Sequence, residues 1–117
     1  MPVRLLSSSV LKWPDREIVL QAFRSWAEKA QADPRILGIG LFGSLVQGNW
    51  EPGGDLDAIL ILKESPLPFI ERGREFDLME IPVPVDLLVY TLKEWERLEE
   101  GHPHGLPSRV EWLYRDF

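Results

Sequence analysis

Two apolar runs, Ile36 to Phe42 and Leu56 to Leu62, are separated by the segment GSLVQGNWEPGGD. Each run is short, rich in Ile and Leu, and bounded by glycine or charge, so each reads as a buried strand. The connection holds Gly48, Pro52, Gly53 and Gly54, which break regular structure, so residues 44–49 form no more than a short helical turn. The centre of the chain is therefore a sheet whose first strand ends in a glycine-serine turn, Gly43-Ser44. Asp55 and Asp57 open the next strand. Residues two apart on a strand share a face, so these carboxylates project side by side. At about 4 Å and an effective dielectric near 20 they repel by about 4 kcal/mol. A fold keeps such a pair when they share a proton or when a divalent cation neutralises them. The turn is the complementary half, because exposed backbone N–H groups and a hydroxyl can hold phosphate oxygens. Together they suggest a metal–nucleotide site.

The flanking sequence supplies the rest of an α/β (α+β) fold. Pro14 suits the first turn of a helix, with Asp15 and Glu17 placed for its dipole. Val19, Ala22, Phe23, Trp26, Ala27 and Ala30 then recur at three- and four-residue spacing, forming a core-facing stripe. That helix ends near Asp33-Pro34. A further helix is expected over Phe69 to Met79, weakened by Gly73, and another over Leu92 to Glu100. PVPVDLLVY is a third strand with its prolines confined to the start. Asp86 falls in its middle, where burial of the charge would need a partner. The tail RVEWLYRDF is a last strand or a helix packing Trp112 and Tyr114, and Met1 to Lys12 is an edge strand or an extended arm. Gly38 and Gly40 let something approach the backbone of the first strand. The expectation is a mixed sheet with its carboxylates on one face and helices mainly on the other.

Composition narrows the functions open to such a sheet. The 117 residues make one domain, 1–117, with apolar content of 44% sufficient for a core. With no cysteine, disulfide frameworks, thiolate metal sites and cysteine nucleophiles are excluded. No signal peptide or bilayer-length apolar run is present, so a membrane role is not expected and a cytoplasmic location is the default. Nineteen acidic against 13 basic residues give a net charge of −6, which argues against an extended nucleic-acid surface. A single nucleotide presented with its metal is compatible with it.

If the strands carrying Asp55, Asp57 and Asp86 are neighbours, all three carboxylates meet beside the turn. Such a set can bind two Mg²⁺ ions about 4 Å apart, which clamp a triphosphate and activate an attacking hydroxyl. Gly43-Ser44, ten intervening residues and then Asp55-Leu56-Asp57 resembles the signature of the DNA polymerase β-type nucleotidyltransferases. The small size resembles their minimal branch, single-domain proteins paired with a HEPN-domain partner, a helical RNase, in toxin–antitoxin modules. The resemblance spans about Ile36 to Tyr90. It implies the polymerase β-like nucleotidyltransferase fold and transfer of a nucleoside monophosphate, AMP from ATP, to a protein or small-molecule hydroxyl. Gly43 and Ser44 would hold the nucleotide phosphates. Asp55 and Asp57 would bind the metals, and Asp86 would complete the metal site and help deprotonate the acceptor. A tyrosine of the HEPN partner is the favoured acceptor. The alternative is a non-catalytic nucleotide-binding antitoxin that acts by binding its partner.

Two positions depart from the family pattern. The family commonly has serine just before the first aspartate, where this chain has Gly54, and Ala-Arg before the glycine that closes the turn, where it has Val46-Gln47. A cationic group near the phosphates is thus missing. Gly38, Gly40 and Gly43 also spell a dinucleotide-binding GxGxxG, but the first two fall inside a strand and no crossover helix fits before Gly54. His102 and His104 read as a surface loop. Trp50 could stack on a base, and Lys63, Arg72 and Arg74 could touch phosphates. Finally, alternation puts Ile59, Ile61, Leu88 and Tyr90 on the carboxylate face. Apolar surface there needs a cover: the segment around Trp112 and Tyr114, a second copy in a homo-oligomer, or a HEPN partner.

Overall fold

A computed structural model describes residues 14–51 and 54–117; the possible N-terminal arm, Met1 to Lys12, lies outside them. Among the described residues the first helix, α1 (Arg16–Ala30), starts where Asp15 accepts a hydrogen bond from the Ile18 N–H at 3.0 Å. Glu17 in its first turn and Lys29 in its last complement the helix dipole. Its stripe of Val19, Leu20, Phe23, Trp26 and Ala27 is buried, so the periodicity read from the sequence is the packing face.

Strands β1 (Ile36–Phe42), β2 (Leu56–Leu62), β3 (Val85–Thr91) and β4 (Glu111–Arg115) make one sheet in the order β3-β2-β1-β4. The pairs β1–β2 and β1–β4 are antiparallel, whereas β2 and β3 run parallel. The tail is therefore a strand. Between β1 and β2 the helical turn α2 (Ser44–Gln47) is as short as its glycines require, and Gly48 ends it in a left-handed conformation at φ 87°. Ten-residue α3 (Leu92–Gly101) follows β3 directly, started by a reciprocal capping box between Thr91 and Glu94.

The segment expected as a helix over Phe69 to Met79 is instead a 3₁₀ helix, Phe69–Glu75, ending at Phe76. Gly73 inside the segment and prolines on both flanks leave too few good helix formers for α-helical turns. Its Arg72 is only 5% exposed. The guanidinium donates to the carbonyls of Leu67 (2.9 Å) and Val89 (3.1 Å) and binds Glu94 through both amino groups, at 2.6 and 3.1 Å. Arg72 is thus a buried clamp joining the 3₁₀ helix, β3 and α3, not a phosphate contact.

The sheet buries residues on both faces. One face packs Ile39, Leu41, Leu56, Ala58, Leu60, Leu62 and Val89 against α1. On the other, Ile59 and Ile61 are completely buried with Trp95 of α3, beside Leu88, Tyr90 and Trp112. A run of aromatic contacts crosses this second face from Phe69 through Tyr90, Trp95 and Trp112 to Phe117, with successive centroids 5.1 to 5.7 Å apart. Gly38 and Gly40 are the sockets for its end. A Cβ on Gly38 would stand 2.8 Å from the Phe117 ring, and one on Gly40 would stand 2.5 Å from Val110. The apolar continuation of the carboxylate face is therefore covered from within the chain, by α3 as well as by Trp112. Tyr114 packs against the α1 side. Among the described residues no helix is long and apolar enough to cross a membrane.

Candidate functional site

The three aspartates come together at one end of the sheet because of register. In the parallel pair Asp57 lies directly opposite Asp86, and in the antiparallel pair it lies opposite Phe42, the residue before the Gly43-Ser44 turn. Neighbouring strands are about 4.8 Å apart, so both carboxylates and the turn share one small area. Asp55 stands just outside β2, in the extended residues that lead into it. Asp55 and Asp86 are exposed and Asp57 is half-buried. The sequence suggested a buried Asp86 in need of a partner; β3 is an edge strand, so its carboxylate reaches water.

The electrostatics report the same proximity. Partial burial, then the charges of Asp86 and Asp55, push the Asp57 carboxyl above its ordinary value. Asp57 thus feels both of the other carboxylates. Among the described residues no group of three acidic or histidine side chains forms a ready-made cation cage. Asp57 and Asp86 are carried by paired strands, and Asp55 by the residues that lead into β2.

Gly43 is required here twice over. Its φ is +83°, a conformation that side chains rarely adopt, and a Cβ would collide with the Asp57 carboxylate. The carboxylate therefore lies directly over the turn. Leu45, 1% exposed, pins α2 into the α1-side core. From α1, the Arg16 Nε–H donates to the Leu45 carbonyl at 2.6 Å.

Gly54 has a local cause as well. A Cβ there would stand 2.8 Å from the Trp50 indole nitrogen, so the indole fills the space where the resembling family commonly has a serine side chain. That nitrogen is buried without a hydrogen-bond partner. The indole packs against the α1-side core, which occupies it structurally rather than leaving it free to stack on a base.

Lys63 ends up at the wrong end of β2, about 20 Å along the strand from Asp57. Arg74 is exposed on the 3₁₀ helix, and His102 and His104 are exposed in the loop after α3. A cleft lined by Trp26, Lys29, Asp33, Phe76, Asp77 and Glu80 opens near the start of β1 and holds none of Asp55, Asp57 and Asp86. The Arg72–Glu94 clamp and the Arg16 contact were missed from sequence. Thr91-Leu92-Lys93-Glu94 carries the capping-box spacing that marks the start of α3, but no local pattern announces Arg16.

An acidic cluster over a glycine-serine turn, on a mixed sheet, suits the class of enzymes that handle phosphate esters. The chain belongs to the nucleotidyltransferase domain family, whose model matches residues 23–105. That span runs from within α1 to the loop after α3 and includes the turn and all three aspartates. Among solved structures, the chain is similar to a proposed nucleotidyltransferase from Sulfolobus solfataricus, with a TM-score of 0.62 and 18% identity over 86% of this chain and 83% of that one. It is also similar to a toxin–antitoxin structure containing AMP-PNP, with a TM-score of 0.50 and 18% identity over 87% of this chain and 74% of that one. At such identities the likeness is one of fold. No curated protein matches the chain.

Proposed function

We propose that the chain transfers a nucleoside monophosphate, AMP from ATP, to a hydroxyl group, with Asp55, Asp57 and Asp86 as its catalytic and metal-binding residues. The observation that carries this reading is the register that sets Asp57 opposite Asp86 with its carboxylate over Gly43. Three mutually repelling carboxylates are an all-oxygen donor set, the kind that suits Mg²⁺. Bound there, Mg²⁺ would neutralise the triphosphate and activate the acceptor.

The chain's own groups have separable tasks. Gly43 gives the polyphosphate close access to backbone, and the N–H groups of the first turn of α2, which have no partners within the helix, face it with the Ser44 hydroxyl. In this reading Asp86, the exposed carboxylate on the edge strand, takes the acceptor proton. The hydroxyl oxygen then bonds to the α-phosphorus and pyrophosphate leaves. Ser44→Ala should weaken ATP binding by about 1 kcal/mol, one neutral hydrogen bond; unchanged calorimetric affinity would count against the turn.

The acceptor we favour is a tyrosine on a helical HEPN-domain partner, in a cytoplasmic toxin–antitoxin pair. The fold shared with a toxin–antitoxin structure supports this. A second reading, a nucleotide-binding antitoxin without turnover, is favoured by Gln47, which leaves the turn without the family's arginine. ATP radiolabelled at the α-phosphate, incubated with Mg²⁺ and a helical HEPN-domain protein, separates them. Label on the partner supports transfer, whereas a stable complex that binds ATP and never becomes labelled supports the second reading.

A further inference from the structure

The Gly43-Ser44 turn has a cation near it that comes from a distant part of the sequence. Arg16 opens α1, and its Nε–H is fixed on the carbonyl of Leu45, the residue after Ser44. Consecutive Cα atoms are about 3.8 Å apart, so the guanidinium is tied within a residue of the turn proposed to hold phosphate. Only the Nε–H is used in that contact; among the described residues neither terminal amino group of Arg16 has a hydrogen bond or ion-pair partner. The nearest acid on its own helix, Glu17, pairs instead with Arg24 at 3.7 Å. Arg16 is exposed, so the two amino groups are open to a ligand. Arg35 and Lys63 are at the opposite end of β1 and β2, and Arg72 is buried in its clamp.

We infer that Arg16 is a nucleotide-binding residue, its anchored guanidinium holding triphosphate oxygens at the Gly43-Ser44 turn. The inference rests on the nucleotide-transfer reading of the same site and names a group that reading lacks. Gln47 stands where the resembling family carries arginine on α2; Arg16 delivers the charge to the same short helix from α1. A planar fork held by one nitrogen and free at the other two is pre-organised for bidentate contact with phosphate. It also offsets the repulsion between a polyanion and three carboxylates.

The test is calorimetric binding of ATP with Mg²⁺ to the full chain. Arg16→Gln keeps an amide donor for the Leu45 carbonyl and removes the charge, and should weaken affinity about tenfold. Adding Gln47→Arg to that variant should restore most of the loss, which a purely structural role for Arg16 does not predict. Arg24→Gln removes equal charge from the same helix and should bind as wild type does. Wild-type affinity in Arg16→Gln, a loss that Gln47→Arg does not restore, or an equal loss in Arg24→Gln would each overturn the assignment. Should Arg16→Gln unfold, Gln47→Arg in the wild-type background must then leave affinity almost unchanged, since the cation is already supplied; a large gain there would also overturn it. Failure of the wild type itself to bind ATP would instead overturn the nucleotide reading, so the two failures are distinct.

Discussion

Asp57 is the residue on which the site turns, because the sheet gives it Asp86 as a neighbour and Gly43 as a floor. Its carboxyl is held above the ordinary value by burial and by the charges of Asp86 and Asp55. A carboxyl raised on folding makes the protein lose stability as pH rises through that value, so ionised Asp57 is a cost at neutral pH. Asp57→Asn should therefore raise Tm in the absence of divalent cations. Added Mg²⁺ should stabilise the wild type and not the variant, as thermal unfolding with and without the ion can show. Gly43→Ala should move Tm the other way. The left-handed φ alone costs about 1–3 kcal/mol, and the Cβ displaces the carboxylate, so Tm and Mg²⁺-dependent stabilisation should fall together. Retention of both would contradict the close approach.

At the scale of elements, the aspartate end of the sheet is supported by a clamp at the other. The parallel β2–β3 pair that aligns Asp57 with Asp86 is held along its edge by Arg72, which ties Val89 to Glu94 at the start of α3. Hydrogen bonding from Arg72, with help from the Thr91 backbone, draws the Glu94 carboxyl below its usual 4.5. A depressed carboxyl contributes stability above the unfolded value, and loses it as pH falls through the folded one. Glu94→Gln should thus be less stable than wild type at pH 7, and the gap should narrow as pH falls below 4.5. A gap independent of pH would mean the charge is not what matters. Trp95, fully buried on Ile59 and Ile61, should cost about 3–5 kcal/mol on truncation to alanine, measured by denaturant unfolding.

These elements also show what was legible in the sequence. The β1–turn–β2 unit could be read because apolar runs, glycines and paired aspartates are local signals, and the α1 stripe because its period is. The 3₁₀ helix was misread because propensity is weak where Gly and Pro interrupt it. The Arg72 clamp, the Arg16 contact and the aromatic cover from Phe69 to Phe117 join residues far apart in sequence, so only the fold creates them. Gly38 and Gly40 announced a close approach without identifying Trp112, Val110 and Phe117 as what approaches.

At the scale of the whole molecule, an acidic chain of net charge −6 would, on the proposed function, present its carboxylates to a polyanionic substrate. Without cations the two repel, so ATP affinity should depend steeply on Mg²⁺, and calorimetry in excess chelator should detect almost none. The family match and the register of the aspartates converge on nucleotide transfer. The most direct measurement is release of pyrophosphate from ATP, with Mg²⁺ and the hydroxyl-bearing partner, by the wild type and by folded Asp57→Asn. The account predicts release matched by label on the partner for the wild type, and neither for the variant despite its equal or higher Tm. Transfer by Asp57→Asn at the wild-type rate would contradict it.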